Sequence, residues 1–142
     1  MKKIKVGFDY DDTIRERRSI QLYCVELLKD PLIEPHIVTR RANRIDRVNW
    51  PYVEPIYWLE VYDLAKKLGI HYDHVHFCNF EMKDTFYKTR LGYDFLWHLD
   101  DCGHDCLLLE NTTKVKAINH LFYPDWMRRC DDLIKEAKQK II

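Results

Sequence analysis

The chain has 142 residues, equal numbers of cationic and acidic side chains (23 Lys+Arg, 23 Asp+Glu) and 46% hydrophobic residues, a composition expected of one soluble globular domain over residues 1–142. That length buries roughly 68–70% of the unfolded surface, so a core needs no disulfide framework. Zero net charge argues against wholesale nucleic-acid binding, and no apolar run reaches the ~18 residues of a membrane span. MKKIKV shows no signal-peptide pattern, and five cysteines (Cys24, Cys78, Cys102, Cys106, Cys130) are an odd number without framework spacing. Free thiols and a cytoplasmic location are the expectation.

Apolar runs alternate with amphipathic ones along the chain, the pattern of βαβ units around a mainly parallel sheet. Ile4–Phe8 is the first strand. A helix follows from about Ser19, with Ile20, Leu22, Tyr23, Leu27 and Leu28 on its buried face and Asp30-Pro31 as its stop. His36–Val38 is the second strand, and a polar stretch, Thr39 to Asn49, leads to the aromatic Trp50-Pro51-Tyr52. The next helix runs from Glu54 or Pro55 to Leu68, with Gly69 where a left-handed cap belongs. Val75–Cys78 is a third strand, Asp84–Leu91 a helix closed by Gly92, and Phe95–Leu99 a fourth strand ending in two aspartates. After a loop, Val115–Asn119 forms a fifth strand. A terminal helix opens at Pro124-Asp125 and carries the stripe Trp126, Met127, Cys130, Leu133, Ile134, Ala137 and Ile141.

Loops leaving the carboxyl edge of such a sheet build its site. The segments at that edge are Asp9-Tyr10-Asp11-Asp12-Thr13, Thr39-Arg40-Arg41 and Asp100-Asp101. Carboxylates converging from two strand ends repel one another unless a cation neutralises them. Two or three carboxylates with room for water and phosphate oxygens suit magnesium. Asp9, Asp11, Asp100 and Asp101 are therefore candidates for a magnesium site that also receives phosphate. Ordinary cap and turn aspartates are the plainer alternative, against which their order and strand contexts weigh.

Asp9-Tyr10-Asp11-Asp12-Thr13 after an apolar strand resembles the first motif of the haloacid dehalogenase (HAD) superfamily, Asp-x-Asp-x-Thr. Thr39 after Ile37-Val38 resembles its second motif, Lys83 before the fourth strand its third, and Leu99-Asp100-Asp101 its fourth, all in order. The resemblance implies a Rossmann-like three-layer α/β sandwich and a phosphatase. In it Asp9 is the nucleophile, Asp11 the general acid and base, Thr39 a phosphoryl hydrogen-bond donor and Lys83 the neutralising cation. Mg2+ is held by Asp9, the Asp11 carbonyl and Asp101, assisted by Asp100. Lys88 is the alternative to Lys83. Asp12 stands where the superfamily more often has Gly, and Asp105 is a further metal or neighbouring acid, or a turn cap.

Ile14–Val38 holds one helix and Arg40–Met82 one helix and one strand, so there is no room for a cap domain. A capless chain resembles those members of the superfamily that act on large or projecting phosphates, or whose sites are covered by a partner subunit. Arg15, Arg17, Arg18, Arg40, Arg41 and Arg44 leave the same edge, and guanidinium forks match phosphate oxygens. They are candidates to hold a nucleotide or a nucleic-acid terminal phosphate, with Trp50, Tyr52 or Tyr57 as a stacking face. Solvated surface charge pairing with Glu16, Glu26 or Asp46 is the alternative. The aromatic surface near Trp50 serves equally as a homodimer face. A metal-dependent nuclease and a non-catalytic phosphate-binding regulator are the rival functions. Cys102, Cys106, His98 and His104 lack the spacing of a zinc site, and His71, His74 and His76 are read as structural.

Overall fold

The structure, a computed structural model, describes residues 2–43, 54–91 and 94–141. Five parallel strands lie in the order β3-β2-β1-β4-β5: β1 Ile4–Phe8, β2 Ile33–Thr39, β3 Val75–Phe77, β4 Phe95–Asp100 and β5 Lys116–Asn119. Helices α1 (Arg18–Leu28), α2 (Ile56–Leu68) and α5 (Trp126–Ile141) bury Ile20, Cys24, Val61, Ala65, Cys130 and Leu133 against one sheet face, with Val6, Phe8, Trp97 and Leu99. On the other face, α3 (Lys83–Phe86), the π-turn Tyr87–Leu91 that continues it, and α4 (Gly103–Thr112) cover Val38 and Phe95 through Phe86, Tyr87 and Leu109. The result is a Rossmann-like three-layer sandwich. The described residues hold no cap domain, and none of their helices is long and apolar enough to cross a membrane.

Strand order reverses beside β1, where successive connections leave on opposite sides. Such a switch point opens a crevice at the carboxyl ends of the two central strands. Here those strands are β1 and β4, and Asp9 and Asp100 stand at their ends. The acids are therefore brought together by topology rather than by sequence proximity.

Several elements depart from the sequence expectation. β2 begins three residues early and includes Pro35. Proline is tolerated because β3 pairs only from Ile37 onward, so Pro35 has a strand neighbour on the β1 side alone. Residues 103–112, expected as loop, form α4. Its Leu107-Leu108-Leu109 run has no helical stripe, and Leu107 is exposed while Leu109 is buried. In α5 the expected apolar stripe is narrower, with Met127 and Ile141 exposed. Gly69 does take the left-handed cap of α2, at φ 96°, and its N–H donates to the Ala65 carbonyl at 2.9 Å. Expectations for Arg44, Arg47, Trp50, Tyr52 and Gly92 fall outside the described residues.

Candidate active site

The turn after β1 sets the first group. Ile14 N–H donates to the Asp9 carbonyl (3.2 Å) and Arg15 N–H to that of Tyr10 (3.0 Å), each spanning five residues and closing a π-turn over Tyr10–Ile14. Asp12 occupies the left-handed region (φ 59°), which explains why glycine suits this position and why Asp, tolerant of that conformation, can replace it. Its N–H is satisfied by the Glu16 carboxylate. The turn points Thr13 back inward. Thr13 Oγ1 lies 3.1 Å from Asp9 Oδ2, 3.4 Å from Asp101 Oδ1 and 3.0 Å from His120 Nε2.

Lys83, at the head of α3, is buried and donates to Asp9 Oδ1 and to Asp100 Oδ2, both at 2.5 Å. Lys88 is not among its companions there. Asp100 is fully engaged: Oδ2 also meets His98 Nε2 (2.7 Å), and Oδ1 accepts from the N–H groups of Asp101 (2.8 Å) and Cys102 (3.0 Å). His98 Nδ1 lies 2.7 Å from the Tyr87 hydroxyl. With Asp100 ionised, one consistent network follows: Tyr87 O–H donates to Nδ1, and Nε2–H donates to Asp100. A continuous buried chain thus runs from Tyr87 through His98, Asp100 and Lys83 to Asp9.

Burial pushes the Asp9 carboxyl well above the usual range, and nearby Asp100 adds to the rise against the pull of Lys83. Asp100, against its burial, is held well below that range by Lys83 and His98. Lys83, against its own burial, stays firmly protonated between the two acids. Burial keeps His98 neutral by lowering its pKa.

Asp9, Asp100 and Asp101 each offer a carboxylate oxygen, all within 4.8 Å of one another. Three carboxylates against one ammonium leave two negative charges when all are ionised, the deficit a divalent cation corrects. All the donors are hard oxygens, so the set fits magnesium. Asp9 Oδ2 and Asp101 would be its principal ligands, because Asp100 is spent on Lys83, His98 and backbone N–H groups.

The remaining sequence candidates are placed differently. Thr39 is buried at the end of β2, and its Oγ1 accepts from the Arg41 N–H at 3.2 Å. Asp11 is not part of the cluster formed by Asp9, Asp100 and Asp101. Arg41 grips it in a two-point pair, Nε to Oδ2 at 2.9 Å and Nη2 to Oδ1 at 2.6 Å. Arg41 is itself buried, meets Glu60 at 2.6 Å and the Tyr57 carbonyl at 2.7 Å, and lies over the rings of Tyr10 and Tyr57. Its fork is therefore occupied within the protein, and Tyr57 stacks on Arg41 and Phe80 (centroids 6.3 Å apart). Arg15 is half exposed and pairs with Glu16 and Glu60, with Asp11 at 3.7 Å; Arg40 is exposed. Asp105 is buried on α4, and its Oδ1 has no hydrogen-bond partner among the described residues. Cys102, Cys106, His98 and His104 are not gathered into a metal-ligating group among the described residues.

Gly7, Tyr87 and His120 were not singled out from the sequence, and Thr13 only as the last residue of the Asp-x-Asp-x-Thr motif. Gly7 lies under the Tyr87–His98 bond: a Cβ there would sit 2.3 Å from the Tyr87 hydroxyl and 3.0 Å from His98 Nδ1. Strand alternation carries the signal for part of this, since Gly7 shares a face with Asp9, and His98 with Asp100.

No protein-family model matches the chain, and no curated protein matches it.

Proposed function

We propose that this chain is a HAD-type, magnesium-dependent phosphomonoester hydrolase working through an aspartyl-phosphate on Asp9. The observation that carries the reading is Lys83, buried between Asp9 and Asp100 at 2.5 Å from each, at the mouth of the switch-point crevice. A buried ammonium fixed on two acids of adjacent strands holds the nucleophile in place, and the negative charge left over calls for a divalent cation. Phosphoryl transfer depends chiefly on such positioning and charge neutralisation.

In the proposed reaction an Asp9 carboxylate oxygen attacks phosphorus, the P–O bond to the leaving group breaks, and the leaving oxygen takes its proton from Asp11. Water then attacks the phosphorus of the aspartyl-phosphate, giving its proton to Asp11 and releasing inorganic phosphate and Asp9. Thr39 supplies a hydroxyl donor to a phosphoryl oxygen, and Lys83 holds Asp9 in place while countering charge. Mg2+ bound by Asp9 and Asp101 would neutralise phosphoryl oxygens. Asp11 must leave Arg41 to reach the leaving group. Asp11 is 44% exposed, so this swing crosses solvent rather than packed core.

The exposed Arg15 and Arg40 at this edge favour a nucleotide or a nucleic-acid terminal phosphate as substrate. Arg40→Ala is then expected to raise the Michaelis constant for a nucleotide far more than for a small aryl phosphate. The covalent step is tested by quenching turnover with borohydride, which reduces an acyl phosphate to the alcohol. Mass spectrometry should find residue 9 converted to homoserine only when substrate and magnesium are both present. An unmodified Asp9 under turnover would refute the intermediate.

A further inference from the structure

Glu34, His36 and His74 form a second cluster, toward the amino end of β2 and sharing no residue with the acids above. Glu34 Oε1 lies 2.7 Å from His36 Nε2 and 3.5 Å from His74 Nε2, and the three offer ligand atoms all within 4.8 Å of one another. A third imidazole backs them: His36 Nδ1 is 2.8 Å from His76 Nε2, the two rings nearly parallel at 9°. His36 is also flanked by the His74 ring at 4.3 Å and the Phe95 ring at 4.8 Å.

A hydrogen-bond network accounts for only part of this arrangement. The 3.5 Å between Glu34 and His74 is beyond a good hydrogen bond. It is close to the ~3.4 Å separating neighbouring ligands of a tetrahedral zinc with bonds of about 2.0–2.1 Å. The Glu34–His36 hydrogen bond needs to open by only about 0.7 Å to match the same tetrahedron. The base of the cluster is buried, with His36 at 6% side-chain exposure, whereas Glu34 at 18% and His74 at 31% form an open rim. An ion can enter from solvent and keep water as a fourth ligand. Two imidazoles and one carboxylate select a zinc-class ion over magnesium, which prefers oxygen alone.

We propose that Glu34, His36 and His74 bind a zinc-class divalent cation, with His76 as the positioning residue that holds His36 in its ligating orientation. The proton arithmetic closes within the pair. Without metal, His36 Nε2–H donates to the Glu34 carboxylate and His36 Nδ1 accepts from His76 Nε2–H. On binding, each ring moves its proton to Nδ1, so that His36 Nδ1–H donates to His76 Nε2 and His36 Nε2 is left for the metal. The bound ion would tie β2 to the Tyr72–His74 turn that leads into β3. The proposal is independent of the phosphatase reading.

The test is equilibrium dialysis of the full chain against zinc in excess magnesium, which occupies the acidic site. It is run on wild type, His74→Ala, Glu34→Gln, His76→Gln and Asp101→Asn, with zinc-free thermal midpoints to confirm folding. One zinc per chain is expected for wild type and Asp101→Asn. Affinity should fall by about 10–100-fold in His76→Gln, and by more than that when a ligand itself is removed. Imidazole nitrogen resonances of His36 and His74 in wild type should shift on zinc addition. No zinc retained by wild type, or equal retention in folded His74→Ala and Glu34→Gln, would overturn the proposal. The second result would place the ion elsewhere, at Cys102 or the acidic edge.

Discussion

Lys83→Met removes the ammonium that bridges Asp9 and Asp100, while nearly preserving volume. The lysine is 2% exposed and makes two 2.5 Å charge-assisted hydrogen bonds, so two buried carboxylates would lose the ammonium that neutralises them. Breaking a buried ion pair by deleting one partner costs about 3–5 kcal/mol. Against the 5–15 kcal/mol typical of a domain, that is a loss of roughly a fifth or more. The assay is urea unfolding at pH 7 in chelator, repeated in magnesium. Magnesium should restore more stability to Lys83→Met than to wild type, because the variant's acids have lost their competing cation. Saturation at a hundredfold over Kd would return about 2.7 kcal/mol. Adding Asp9→Asn to Lys83→Met should recover part of the loss in chelator. A cost below about 1 kcal/mol, with no extra response to magnesium, would refute the reasoning, since it would mean the acids are already neutral.

Other consequences are open to direct measurement. Gly7→Ala should cost about 1–3 kcal/mol, because its Cβ meets the Tyr87 hydroxyl, and Tyr87→Phe in the same chain should recover much of that loss; no rescue would show that the clash lies elsewhere. Asp12→Gly should be neutral or mildly stabilising and Asp12→Val destabilising by about 1–2 kcal/mol, since φ 59° suits glycine and not a β-branched residue; equal midpoints in urea would contradict this. Burial pushes His36 and His76 down to about 4, so both stay neutral in the folded chain while the unfolded chain protonates near 6.5. Their stabilisation is complete above pH 6.5 and is lost as pH falls toward 4, each histidine removing up to about 1.4 kcal/mol per pH unit. In chelator, Tm should therefore fall across that interval, and fall less steeply in His76→Gln; a flat profile in wild type would count against the burial of these rings.

The sheet and its polar edge were legible because they depend on local pattern. Apolar runs ending in Asp9, Thr39 and Asp100 mark strands and their carboxyl ends, and a parallel sheet places those ends together. Lys83 could be favoured over Lys88 because a lysine at the head of a helix leaving that edge points back toward it. What the sequence did not disclose depends on pairings across the fold. Arg41 looks like a phosphate fork until Asp11 and Glu60 are found to occupy it. Nothing local says that Asp100 is spent on Lys83 and His98, or that Tyr87 reaches over Gly7. His36 lies on β2, and His74 and His76, 38 and 40 residues later, lie in the turn before β3 and on β3, so their convergence with Glu34 appears only when β2 and β3 pair. Helix α4 was missed for a different reason: its leucines follow no helical period, and tertiary packing rather than pattern holds it.

Phosphate release from a panel of phosphate esters tests the central claim most directly. The panel should include nucleoside 3′- and 5′-monophosphates and 3′- and 5′-phosphorylated oligonucleotides, with and without magnesium, for wild type and Asp9→Asn. The account predicts release that requires magnesium and disappears in Asp9→Asn. Cleavage of internal phosphodiesters that survives Asp9→Asn, or no release from any ester, would contradict it.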